Sequence, residues 1–385
     1  MYELEARLED SLDLLSVEEI GVATLGFFKT QTVIHGASLQ EALIRRIIKE
    51  VDTIPEQALV SIIKALRMSL VIPVWPMAES LLGVLCSQIG RISLKGCAHI
   101  VLLTARTHSV HSQILDLVSQ KLLKSIDQAR LKDLEKVLYP LTTLNYDPKT
   151  SPCIFEAIAA ELNRPERQQE FTIHPKCLVA IVHYLALLSI FPHDAIARVL
   201  DMNFIRETYG RTNYMIGREI LSIETCLEID SPGYSGPRLP EDVRNYLSKR
   251  YSTFLPNREK RLSKHGAFVL DVIDTLEIVL GKECMVCKYV LPNNSRADVV
   301  FGLDREGKAL PIPDDYRNHP DFTGVLRLPK VDGDWRAIVL CSLNMLVRNR
   351  AGAPNGETAA KIRHLRKLGY TPLMVTFLSP FRNRL

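Results

Sequence analysis

From about residue 10 to residue 205, apolar residues recur every three and four positions, and the strict alternation of a half-buried strand is absent. One anchor position repeats. Ile20, Leu59, Ala98, Leu134 and Leu178 each open a similar amphipathic helix, at spacings of 39, 39, 36 and 44 residues. Each helix is followed by a polar or proline-marked turn (Pro73 and Pro76, Thr107–Ser109, Asp147–Pro148, Phe191–Pro192) and then by a second amphipathic stretch. Helix pairs at this period predict an α-solenoid, in which each repeat buries its apolar face against its neighbours and the stack presents a long surface to a protein or an RNA strand. A plain globular helical domain is the simpler alternative.

The texture changes after Ile205. Residues 231–240 pack three prolines and two glycines into ten positions, which forces turns. A helical stretch then interleaves cations with aromatics: Arg244, Tyr246, Lys249, Arg250, Tyr251, Arg258, Lys260, Arg261, Lys264 and His265. Rings beside phosphate-pairing cations suit single-stranded nucleic acid, whereas a solvated helix with Tyr246 and Phe254 in the core is the bland reading. Val269–Leu280 predicts a further helix, closed by Gly281.

From there the pattern turns to strands. Val286–Leu291, Ala297–Leu303, Ala337–Leu343 and Leu373–Phe377 are short apolar or alternating runs. Asp304–Lys308 predicts a hairpin turn with Gly307 in the left-handed region, and residues 311–334 read as loop. Thr358–Leu368 has a helix's composition, with Ile362, Leu365 and Leu368 on one face and Gly369 as its stop. Lys361, Arg363, His364, Arg366 and Lys367 are expected on the opposite face. The fold class is therefore mainly α with a C-terminal α/β domain: a helical-repeat array (1–205), a second helical module or connector (206–283), and a small α/β domain (284–385).

Charge sharpens that picture. Residues 336–385 hold nine lysines and arginines against one acid, Glu357, a balance of +8 in a chain whose total is +4. A cationic module on a near-neutral scaffold predicts a polyanion partner, although one basic helix alone is as readily a solvated face. No apolar run approaches the eighteen residues of a membrane span. The amino terminus is acidic and amphipathic rather than arginine-rich, so the chain is expected to be cytosolic or to lack its address. Eight scattered cysteines predict free thiols and no disulfides. Cys284 and Cys287 have C-x-x-C spacing but no second pair at zinc-finger distance, so they are assigned to packing.

Three segments carry a family resemblance. Leu134–Leu200 holds Leu144-Asn-Tyr-Asp-Pro148 and Phe191-Pro192. Leu221–Leu239 ends in Leu-Glu-Ile-Asp-Ser-Pro-Gly-Tyr-Ser-Gly-Pro-Arg-Leu, and Lys361–Tyr370 reads Lys-Ile-Arg-His-Leu-Arg-Lys-Leu-Gly-Tyr. In this order they resemble the first module (about 130–205), the second module and the C-terminal RAP domain of the FAST kinase domain-containing family of mitochondrial RNA-binding proteins. The resemblance implies RNA processing, stability or translation control, with other RNA-processing proteins as partners. It also implies a mitochondrial location, although no presequence is visible and the chain stops short of the family's closing turn and helix. Kinase chemistry has no support: there is no glycine-rich loop, Val-Ala-Ile-Lys, His-Arg-Asp or Asp-Phe-Gly.

The resemblance further implies a fold like that of PD-(D/E)xK nucleases, whose chemistry needs two or three carboxylates, a lysine and Mg²⁺ or Mn²⁺. Asp298 fits the first carboxylate, with Asp332, Asp334 and Lys361 as the other candidates. The strand from Ala337 to Ser342 lacks the expected acid. The reading is thus binding of single-stranded RNA without catalysis and without a cofactor. Phosphate contacts are expected from Arg244, Lys249, Arg250, Arg258, Lys260, Arg261, Lys361, Arg363, Arg366 and Lys367. Tyr246, Tyr251 and Tyr370 are stacking candidates, and Tyr370, which opens a strand, favours the core. A metal-dependent RNA endonuclease and a protein-binding helical scaffold are the rivals.

Overall fold

The computed structural model describes residues 2–377, and the arginines at 382 and 384 lie outside them. The chain divides into two compact units. One comprises the residues up to Cys177 together with Val347–Ala353, and the other comprises Leu178–Leu346 with the segment from Pro354 onward.

The first unit is helical: α1 (Tyr2–Ser11), α2 (Val17–Lys29), α3 (Ala37–Lys49), α4 (Glu56–Ser69), α5 (Trp75–Leu85), α6 (Leu94–Arg106), α7 (Ser112–Leu123), α8 (Leu131–Thr143), α9 (Ile154–Glu161), α10 (Gln168–Ile173) and the start of α11 (Pro175–Leu187). Helix starts follow from local chemistry. Ser16 and Glu19 form a reciprocal capping box at α2, and Ser93 caps α6. Packing runs between alternate helices: α2 lies on α4, α4 on α6 and α6 on α8, while α3 packs on α5, α5 on α7 and α7 on α9. The anchors Ile20, Leu59, Ala98 and Leu134 sit in the first of these two layers, and each is wholly buried. The loop Val347–Ala353 is tied to this unit. Arg348 pairs with Glu79 and lies over the Trp75 ring, and the Asn349 side chain bonds both backbone groups of Val110.

The second unit continues with α12 (His193–Val199), α13 (Met202–Tyr209), α14 (Arg218–Asp230), α15 (Glu241–Tyr251) and α16 (Lys264–Leu280). Strands β1 (Met285–Lys288), β2 (Asp298–Leu303) and β3 (Ala309–Leu310), helix α17 (Asp314–Arg317), strand β4 (Asp334–Cys341), helix α18 (Gly356–Lys367) and strand β5 (Thr371–Thr376) complete it. The sheet is mixed, in the order β1-β2-β4-β5 with β3 on β2. β4 and β5 are parallel, and α18 connects them.

Alternation sorts the sheet's side chains to two faces. Val299, Phe301, Ile338 and Leu340 meet Val269 and Ile273 of α16. Val300, Ala337 and Val339 meet Leu365 and Leu368, which are followed by Tyr370. Trp335 seals that second core. Its indole donates to the Val331 carbonyl at 2.9 Å, and a side chain at Gly302 would collide with its ring. Gly369 (φ 94°) stops α18, and Gly307 (φ 82°) turns the hairpin, as their sequence positions predict.

Two expectations need correction. The stretch 244–265 is not one helix, because α15 ends at Tyr251 and α16 starts at Lys264. Pro256, which lacks a backbone donor, sits in the break. The run 311–334 contains a short helix, α17, whose Tyr316 is buried. The hairpin from Asp304 leads into a two-residue strand, β3, too short for periodicity to reveal.

Candidate functional site

The second unit contains a polar cleft of about 170 Å³. Its walls come from α11 (His183), α14 (Arg218, Ser222), the loop before β2 (Asn293 to Arg296), the end of β4 (Ser342) and the first turns of α18 (Asn355 to Lys361). Asn355 caps α18 by accepting from the Thr358 amide at 2.9 Å. Arg218 pairs with Glu357 at 2.5 Å. Arg296 is half-buried with no ion pair among the described residues. Its guanidinium reaches the Ser342 hydroxyl at 3.4 Å, and burial lowers its pKa. His183 is buried with Nδ1 unpartnered, and burial beside Arg218 drives its pKa down to about 3, so it is neutral.

Asp298 and Lys361 meet beneath this cleft. Asp298 begins β2 with its carboxylate wholly buried, and Lys361 on α18 reaches it at 2.6 Å while itself only 5% exposed. Burial raises the carboxyl's pKa, and the ammonium opposes that rise. Oδ2 is buried without a hydrogen-bond donor. Lys361 therefore does not stand on a solvated face, and its ammonium is committed to Asp298.

Register separates the other nuclease candidates. Leu303 pairs with Asp334 and Val299 with Ile338, so Asp298 and Asp334 lie five strand positions apart, about 16 Å. Asp334 instead accepts from Thr371 and pairs with Arg336, each at 2.8 Å. Asp332 is exposed in the preceding loop. Among the described residues no three His, Cys, Asp or Glu converge on a metal-sized site. These residues do not fit a catalytic divalent ion, which needs at least a second acid beside Asp298. Grouping Asp298 with Asp332 or Asp334 is thus overturned.

The cationic face expected on α18 is largely spoken for. Asp230, the last residue of α14, holds a fully buried carboxylate. Arg363 reaches it at 2.9 Å, His364 at 3.0 Å and Lys367 at 2.8 Å, and the Ser189 hydroxyl donates at 2.8 Å. Burial alone would raise this acid's pKa, yet the bonds from His364 and Lys367 outweigh it and hold the group far below the ordinary range. Arg363 also donates to the Leu187 carbonyl. Nearby, Glu224 of α14 accepts from Arg238 and the Leu239 amide. A small apolar cluster joins Ala186, Leu187, Cys226 and Ala360, with Phe191 packed on it. The three sequence segments that carry the family resemblance thus meet here. Asp230 was missed as a site residue, although it lies inside the quoted Leu-Glu-Ile-Asp run.

The remaining candidates scatter. Lys249, Lys260, Arg261 and Arg366 are exposed and make no ion pair among the described residues. Arg258 is held by Asp274, and Arg244 lies near Glu228. Arg250 stacks on Tyr214 and Tyr251, and Tyr251 donates to the Ile216 carbonyl. Tyr246 is 42% exposed and open to stacking. Tyr370 is buried and shares a 2.8 Å hydrogen bond with Tyr316, which removes it from the stacking set. All eight cysteines are free, and among the described residues no helix is long and apolar enough to cross a membrane.

Comparison with known proteins completes the picture. The family described as "FAST kinase-like protein, subdomain 1" matches residues 134–208. FAST kinase domain-containing protein 5, mitochondrial, is 29% identical in Macaca fascicularis over 319 residues and 27% in Homo sapiens over 318, covering 81% of this chain. FAST kinase domain-containing protein 3, mitochondrial, of Mus musculus is 24% identical over 71% of this chain. These matches span about 40% of each relative's own length. Residues 134–208 thus match the first FAST kinase-like subdomain, and most of the chain is similar to mitochondrial FAST kinase domain-containing proteins.

Proposed function

We propose that this chain binds single-stranded RNA in mitochondria and holds it without cutting it, in RNA processing, stability or translation. The observation that carries the reading is the polar cleft. Its walls offer amides and an arginine, Arg296, that lacks a carboxylate partner, while the one buried acid beneath is occupied by Lys361. RNA as the ligand is supported by the family resemblance, and the mitochondrial setting by the names of the relatives. The alternate-helix layers support the solenoid reading. The mixed sheet with its α18 crossover supports a RAP domain of nuclease-like fold. The three modules 1–205, 206–283 and 284–385 belong to the same proposal.

The test is incubation of the purified chain with labelled single-stranded RNA and Mn²⁺, followed by filter binding at two salt concentrations. Retention on the filter that weakens with salt, with the RNA intact, is the expected result. Cleavage lost in a folded Asp298→Asn variant would establish the nuclease instead. No retention at either salt concentration would favour the protein-binding scaffold.

A further inference from the structure

We propose that the layer formed by α2, α4, α6 and α8 carries a second binding surface, for the phosphate backbone of single-stranded RNA, built from Lys29, Lys64, Arg67, Lys95, His99 and Lys136. The inference rests on the RNA reading above but concerns residues that the sequence pattern did not single out.

Geometry brings these groups together. Lys64 and Arg67 are one turn apart on α4, and Lys95 and His99 one turn apart on α6. The Lys136 ammonium on α8 lies 3.5 Å from His99 Nε2, and the Lys64 ammonium sits over the Phe28 ring of α2 at 5.7 Å from its centroid. None of the five cations makes an ion pair among the described residues. The charged groups that face Lys64 are Lys95, Arg67 and Lys29, all of its own sign, and together with burial they lower its pKa. Lys136 does have acids nearby, Asp133 and Glu135, but Asp133 is engaged by Arg130 at 2.6 Å. His99 is buried with Nδ1 unpartnered, and burial beside Lys136, Lys64 and Arg67 drives its pKa down to about 3.

Half-burying like charges with few acids to answer them destabilises a fold, and a polyanion relieves the repulsion. The patch also contains rings: Phe28 under Lys64, and Tyr139 beside Arg67. Cations with interleaved aromatics favour an RNA strand, whose bases stack, over an acidic polypeptide, which has no use for the rings.

The experiment measures binding of a fluorescent single-stranded RNA oligonucleotide across a salt series, for the full chain and for the joint variant Lys64→Gln, Arg67→Gln, Lys136→Gln. Affinity is expected to fall about tenfold or more, and the slope of log affinity against log salt to become shallower by about 2, from roughly 0.7 per lost phosphate contact. Removing mutually repelling charges should leave the melting temperature unchanged or raise it, which a purely structural role for these side chains would not do. Should the joint variant melt early, the single change Lys64→Gln takes its place, with a slope change of about 0.7 expected. Equal affinity and slope in a folded variant, alongside loss of binding in Arg296→Glu, would overturn this surface and leave the RNA reading standing. An intact chain that binds no RNA at any salt concentration would overturn both. Competition by polyglutamate as strong as that by polyuridylate would assign the surface to an acidic protein.

Discussion

Helix α18 and the α2–α4–α6–α8 layer both carry clustered cations, and they use them in opposite ways. On α18 every lysine and arginine but Arg366 is answered: Lys361 by Asp298, and Arg363 and Lys367 by Asp230, which His364 also contacts. Arg336 and Arg348 meet Asp334 and Glu79, and Arg350 lies over the Tyr146 ring. In the helical layer Lys29, Lys64, Arg67 and Lys95 have one another for neighbours. The segment richest in positive charge by count is therefore the poorer candidate for a polyanion, and a stretch of unremarkable composition is the better one. Attraction for an external anion depends on which cations lack internal acids, and a local tally of charges does not report that.

The sharpest way to break this contrast is to remove the acid that answers α18. Asp230→Ala leaves Arg363, His364 and Lys367 around an empty, buried position and is expected to destabilise the second unit by about 3–5 kcal/mol. Denaturant unfolding read against the parent chain measures it. A loss under about 1 kcal/mol would mean these cations are solvated after all, and would return α18 to the list of RNA-facing helices.

Acid should affect the two regions differently. His99 in the first unit and His183 in the second both have folded pKa values near 3, against an ordinary 6.5. The unfolded chain takes up these protons first, so the stability is full above about pH 6.5 and is lost as pH falls toward 3, by about 2–4 kcal/mol for each group. Asp230 adds a loss of its own below its ordinary pKa of about 3.8, because its pKa is lowered in the folded state, and this loss falls on the second unit alone. Hydrogen exchange followed from pH 7 to pH 3.5 should show protection falling in both units together. A further drop below that, larger in the second unit than in the first and reduced in Asp230→Asn, is the sign of Asp230.

The smallest effect is expected at Arg366, the exposed cation of α18 with no ion pair among the described residues. Arg366→Glu should change stability by less than about 0.5 kcal/mol. A joint reversal of Arg363 and Arg366 would not probe RNA binding cleanly, because Arg363 holds Asp230.

Periodicity made the architecture legible. The apolar anchors Ile20, Leu59, Ala98 and Leu134 are buried because a three-and-four repeat on a helix can point to one side and little else. The strands around Asp298 and Ala337 were legible for the same reason, and Gly369 marked the end of α18. The site was much less legible. Lys361 and Lys367 lie on one basic helix and look alike in sequence, yet one is buried and the other is not, since the difference is set by Asp298 at a separation of 63 positions. The layer around Lys64 and Lys136 was not legible because its basic residues come one or two at a time from different helices and gather only once those helices stack.

The bonds at Asp230 also impose an order of events. Its partners Arg363, His364 and Lys367 are synthesised more than 130 residues later. Until α18 is made, the Asp230 carboxylate can accept from the earlier Ser189 hydroxyl but lacks the cations that answer its charge. The second unit therefore cannot close this charge cluster until α18 has been made.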